Sequence, residues 1–346
     1  MTREIEGEPR IGSAFVEMTV AGAKEQWRDR RGLFSALFSF GFFLLLMFAL
    51  NLAINVQGRA DPVVVVTGEQ TAVERVLMSL GEHGIEATSG PGADVSVTVT
   101  SVSADVVVGV PGSRAPAWLE VQRAVEAAGY SPADITATEP DGFVVVDLLR
   151  ANLAGVVLLG FLSATFTGTS LALVTARSRG LLRLLGTTPV RRLDYVCAQI
   201  PLRFGFAALI AVVTLIVSMV NGYSSGGGIL RLSITLLVGL AMCFSFALLL
   251  GSRSRKPEII TQAAVMIPIL ALFATGAVFP RTVLPEWVWS VTDMLPTNWL
   301  VQAAGADLAG TATTLPIPAL WALMLGATVI ATLIAARSFV WDDRER

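Results

Sequence analysis

The chain has 346 residues, of which 53% are hydrophobic and 15% charged, and its formal net charge is −2. Soluble domains carry about 25% charged residues, so this composition excludes an ordinary globular protein, and the near-neutral balance leaves no electrostatic footprint for nucleic acid. Cys197 and Cys243 both fall in or beside apolar runs, which excludes a disulfide framework.

Residues 1–32 are polar and basic. Val16, Val20, Ala23 and Trp27 recur at helical spacing, with Lys24, Arg28 and Arg31 on an adjacent stripe. That pattern predicts an amphipathic helix lying in the membrane interface; a plain solvated leader fits the same residues. The apolar run that follows, 33–56, is too long for a signal-peptide core and reads as a first span. Residues 57–146 change character. "PVVVVTG" reads as a strand and "TAVERVLMSLGEHG" as a helix with Val73, Val76, Leu77 and Leu80 on one face. "DVSVTVT" and "ADVVVGVPG" read as strands, and "WLEVQRAVEAAGY" as a second helix. Strands alternating with helices predict a small α/β domain, with Val63, Val65, Val73, Leu77, Val106 and Val108 in its core.

Residues 147–346 supply five further apolar runs, near 151–176, 200–220, 230–251, 259–279 and 315–336. The expected fold is therefore an α-helical polytopic membrane protein of six transmembrane helices, with an α/β domain between spans one and two. Basic residues cluster in the leader, at 177–192, in "SRSRKPE" and at the C-terminus. With six spans these four segments share one side, which the positive-inside rule makes cytoplasmic. The α/β domain has 12 acidic against 4 basic residues and falls on the extracytoplasmic side. Both termini are then cytoplasmic.

Between spans two and three, "ARSRGLLRLLGTTPVRRLDY" places Leu181, Leu184 and Leu185 on one ridge, flanked by Arg179, Arg183 and the pair Arg191–Arg192. Thr187, Thr188 and Pro189 break the helix. Two readings fit: topogenic anchoring of two spans, or a short helix (177–195) that docks onto a cytosolic partner. Lysine occurs only as Lys24, after Ala23, and Lys256, after Arg255. A phosphate-binding loop of the Gly-Lys-Ser/Thr kind is thus absent, and no ATP site or enzyme activity is expected in this chain.

Polar groups within spans are the remaining clues. Arg150 and Asp147, three apart at the external start of span two, can pair on a helix, and Arg203, one turn inside span three, can snorkel to the cytoplasmic surface. The uncharged ones are Asn51, and Ser163, Thr165, Thr167, Thr169 and Ser170 around Gly168. Such residues either pack helices closely or line a polar substrate path. The lone histidine, His83, has no clustered partners, so no metal site is expected.

The order of these parts resembles the permease subunits of type-2 ATP-binding-cassette (ABC) transporters. The shared features are an interfacial helix, a first span, an external domain, and a loop keeping Arg177, Gly180, Leu184, Leu185, Thr188 and Pro189. Ala176, Ser178 and Leu181 stand where that family usually has Glu, Glu and Thr. Residues 280–314, with Trp287, Trp289 and Trp299, are similar to the family's external hairpin between spans five and six. The resemblance implies a bacterial inner-membrane permease that pairs with a second permease, identical or different, among membrane lipids. A separate cytosolic ATPase carrying ATP and Mg would dock on the 177–189 loop. Export of a small amphipathic or hydrophobic compound, a lipid, or an ion such as sodium would follow. The alternative is a mechanotransmitter that acts through the α/β domain on an external partner without transport.

Overall fold

The structure, a computed structural model, describes residues 38, 40–50, 63–87, 93–108, 116–130, 134–138, 148–178, 192–223, 226–254, 256–275 and 285–338. The chain divides into two compact units. One comprises Met1–Phe42, Ala154–Ala304 and Leu315–Arg346; the other comprises Phe43–Leu153 and Gly305–Thr314.

The first unit is helical. Among the described residues, four helices are long and apolar enough to cross a membrane: Leu149–Thr175, Gly227–Ser252, Pro257–Ala274 and Ile317–Ser338. Two shorter apolar helices, Phe40–Leu50 and Ala207–Val220, fall within the expected first and third spans. Helix formation follows from solvent: in hydrocarbon every backbone N–H and C=O must be satisfied within the segment. In chain order the apolar helices are α1 (Phe40–Leu50), α4 (Leu148–Thr165), α5 (Ala172–Ser178), α6 (Arg192–Val220), α7 (Gly226–Arg253), α8 (Pro257–Ala274), α9 (Glu286–Thr292), α10 (Pro296–Leu308) and α11 (Ile317–Ser338), of which residues 43–50, 148–153 and 305–308 fall in the second unit. A π-helical segment, Phe166–Leu171, joins α4 to α5. Among the four described long apolar helices, the run α4–π–α5 is the most buried, 78% against 22% for α8 and for α11. The last two turn Val265, Met266, Leu270, Val329, Ile330 and Leu333 outward, the pattern of helices that face lipid.

The second unit contains the α/β fold. Strands β1 (Val64–Gly68), β2 (Val95–Val99), β3 (Ala104–Val108) and β4 (Ile135–Thr138) form one sheet in that order. The β1–β2 and β3–β4 pairs are parallel, and β2–β3 is antiparallel. Helices α2 (Gln70–Glu82) and α3 (Pro116–Ala127) supply the crossovers and pack on each other. The core comprises Val64, Val95, Val97, Val99, Val106 and Val108 from the sheet with Val76, Leu80, Val121 and Val125 from the helices. Thr67, Thr98, Asp105 and Thr136, from the alternate positions of the four strands, are exposed, as period-two alternation requires of a sheet covered on one face.

This corrects the expected core. Val64 is fully buried, so the face carrying Val63 and Val65 is not the core face, and Leu77 is 39% exposed whereas Leu80 is fully buried. Four consecutive valines carry no alternation, so the parity of β1 was set by its pairing of Val64 with Val95.

The unit is also two βαβ halves in tandem. Val76, Ser79, Leu80, Gly84 and Ile85 hold the places in the first that Val121, Ala124, Val125, Gly129 and Tyr130 hold in the second. Both helices end alike, on a glycine of positive φ (73° and 102°), followed by a return bond, Ile85 N–H to the Leu80 carbonyl and Tyr130 N–H to the Val125 carbonyl. Only glycine takes that conformation without a steric penalty. The Ser79 hydroxyl donates to the Ala124 carbonyl at 2.7 Å, joining the two equivalent positions.

Candidate functional site

Span two carries most of the polar residues singled out from the sequence. Ser163, Thr165 and Thr169 are buried, and Thr167 is half-buried. The Thr165 hydroxyl donates to the Phe161 carbonyl at 2.7 Å, one turn back on its own helix. The neighbouring Ser170, fully buried, donates across to the Ala247 carbonyl of α7 at 2.6 Å. The π segment packs against both α7 and α8. Asn51 lies outside the described residues.

At the lower end of the same span, Arg177 closes α5. It is buried, and its guanidinium donates to the carbonyls of Ser254 at 2.6 Å, Gly251 at 3.3 Å and Ser252 at 3.4 Å. These carbonyls end α7, where the last turn has no intrahelical donors and carries partial negative charge. Arg177 thus ties α5 to the end of α7. Ser178 beside it is exposed. The rest of the expected docking set, Arg179, Gly180, Leu181, Arg183, Leu184, Leu185, Thr188 and Pro189, lies outside the described residues.

A second polar group sits where α9 turns into α10. Asp293 Oδ1 accepts from Asn298 Nδ2 at 2.7 Å and Gln302 Nε2 at 3.2 Å, and the Asp293 carbonyl accepts from Trp299 Nε1 at 3.0 Å. Asn298 and Gln302 are buried. Their hydrogen bonds make that burial tolerable. Trp289 is buried, while Trp287 is 70% exposed. On the same helix Leu300 fills the space that a Cβ at Gly239 of α7 would take, the close approach that small residues permit between membrane helices. Sequence reading passed over this group. The signal was present in Asn298 and Gln302, four apart on one helix face.

A third cluster belongs to the second unit and centres on Arg150, whose expected partner Asp147 lies outside the described residues. Arg150 is buried; its Nη1 donates to Glu126 Oε1 of α3, and its Nε donates to the Leu308 carbonyl at the end of α10 at 2.8 Å. Gln122 Nε2 donates to the same Glu126 oxygen at 2.8 Å. No sequence spacing links residues so far apart. Among the described residues, no three His, Cys, Asp or Glu side chains gather where they could hold a metal ion.

Long apolar helices, buried hydroxyls that bond backbone carbonyls, and an arginine capping a helix end define a multi-pass membrane protein. The chain belongs to the ABC-2 type transporter family, whose model matches residues 128–306. The match runs from just after α3 into α10, and so includes span two, Arg177, the loop after it and the Asp293 group. No curated protein matches the chain.

Proposed function

We propose that this chain is the export permease of an ABC transporter, driven by a separate cytosolic ATPase that docks on Gly180–Pro189. The observation that carries the reading is the family match over 128–306, which supports an ABC transporter permease. The ATPase would hold ATP and Mg. Leu181, Leu184 and Leu185 would form the apolar contact, with Arg179 and Arg183 at its rim. Arg177 and Thr188–Pro189 would hold the two ends of the loop. A second permease copy or a homologue would complete the pathway, and the cargo would be a small amphipathic or hydrophobic compound, a lipid or an ion. Asn51, Ser163, Thr165, Thr167 and Thr169 would be the polar groups nearest that path. The segregation of basic residues supports six spans in a bacterial inner membrane, cytoplasmic termini and an extracytoplasmic α/β domain.

The test is co-expression with the ABC ATPases of the same genome, followed by pull-down and reconstitution. One ATPase should co-purify, and its vanadate-sensitive turnover should rise when the permease is present in vesicles. If no ATPase binds, the reading is wrong. If turnover is coupled but no lipid, amphiphile or sodium moves, mechanotransmission through the α/β domain replaces export.

A further inference from the structure

Span two is held differently above and below the π segment. In the α4 half, Phe40 of α1 lies against Gly160, close enough to occupy the place of a Cβ there. From the π segment downward, the holds are on α7: Ser170 to the Ala247 carbonyl, and Arg177 to the carbonyls of Gly251, Ser252 and Ser254. Between those two holds Gly251 admits the Ser170 backbone, since a Cβ at 251 would meet Ser170 Cα at 3.1 Å. The lower half of span two is thereby fastened along α7 at two levels.

The π segment itself contains an unmet group. Thr169 is 1% exposed, and its hydroxyl has no hydrogen-bond partner among the described residues. Other buried or half-buried helical hydroxyls find a carbonyl within their own helix: Ser245, Ser252, Thr275 and Thr292 the one three residues back, and Thr165, Thr214, Ser233, Thr235 and Thr328 the one four residues back. A π-helix shifts bonding from the fourth to the fifth residue, and the Thr169 hydroxyl is left without that acceptor. Rewinding the segment as α-helix would bring it to the Thr165 carbonyl. The two forms differ by one residue of register, about 100° of rotation.

We propose that Phe166–Leu171 is a joint in span two that rewinds between π and α forms, letting the lower half turn with α7 while the upper half keeps its seat against α1. The Thr169 hydroxyl favours rewinding by gaining a partner in the α form. The link of this motion to ATP rests on the permease reading; the joint itself does not. Hydrogen–deuterium exchange is measured on the purified full-length chain in nanodiscs of phosphatidylethanolamine and phosphatidylglycerol. Amides of 166–171 should exchange about tenfold faster than those of 154–162, because a switching segment opens more readily than the packed helix above it. Thr169→Val, close in shape but without the hydroxyl, should slow exchange of 166–171 at least threefold, and Thr169→Ser should stay near wild type. Deleting Gly168 removes the extra residue and should erase the contrast. Equal exchange in 166–171 and 154–162, or no effect of Thr169→Val, overturns the joint. In a second arm, ATP and vanadate are added to the complex with the co-purified ATPase. A change in protection confined to 166–178 supports coupling, and none overturns it. If no ATPase co-purifies, the permease–ATPase reading falls, while the chain-alone pattern still decides the joint.

Discussion

Arg150 and Leu80 show how much single side chains decide. The Arg150 guanidinium serves both Glu126, which Gln122 also reaches, and the Leu308 carbonyl. Hydrogen bonds to charged groups contribute about 1.5–3 kcal/mol, and the Glu126 side chain is 19% exposed, so some of that is screened. Arg150→Met should therefore cost about 2 kcal/mol, read by SDS-induced unfolding in mixed micelles. Arg150→Lys should recover less than half, because an ammonium lacks the fork that reaches two acceptors. A double-mutant cycle with Glu126→Gln should give a coupling energy clearly above zero; additive losses would mean the pair is incidental. Leu80→Ala removes a fully buried side chain and should cost about 2–4 kcal/mol. Leu77→Ala, on a side chain 39% exposed, should cost under about 1 kcal/mol. The reverse order would contradict the observed face of α2.

At the scale of elements, residues 179–191, between α5 and α6, are the expected docking segment, and the end of α7 receives Arg177. Burying one leucine contributes about 1.5–3 kcal/mol, whereas a rim arginine contributes about 0–1 kcal/mol because solvent screens it. Leu184→Asp should consequently abolish ATPase co-purification, and Arg183→Ala should weaken it less than about fivefold. If Leu184→Asp still retained the ATPase at the wild-type level, the docking surface would lie elsewhere. Arg177→Gln separates two roles. The carbonyls it meets end α7, so the variant should lower the melting temperature of the chain purified alone. An unchanged melting temperature with lost ATPase would assign Arg177 to the partner instead.

For the whole molecule, the segregation of basic residues predicts which side each segment faces. In a background carrying Cys197→Ser and Cys243→Ala, Val102→Cys should react with an impermeant maleimide from outside intact cells, and Ser178→Cys should react only after permeabilisation. Both sites are exposed in the structure, so access differs only by side. Equal labelling from outside would overturn the orientation. Membrane character, the helical runs and the family were legible in the sequence, because hydropathy and the Arg177-to-Pro189 frame are local patterns. The alternation of β2 was legible for the same reason. Tertiary structure alone decided the rest. The parity of the valine run in β1 depended on its neighbour strand, and the inward turn of Arg177 depended on where α7 ends. Arg150 met Glu126 and Leu308, and Asp293 met Asn298 and Gln302, only after helices had packed. The π segment was equally invisible: "FTGTS" has no signature of its own, and it takes its register from Ser170 bonding α7 and from the helices packed on either side. A side chain's identity sets what it can bond, and the fold sets which partner is within reach.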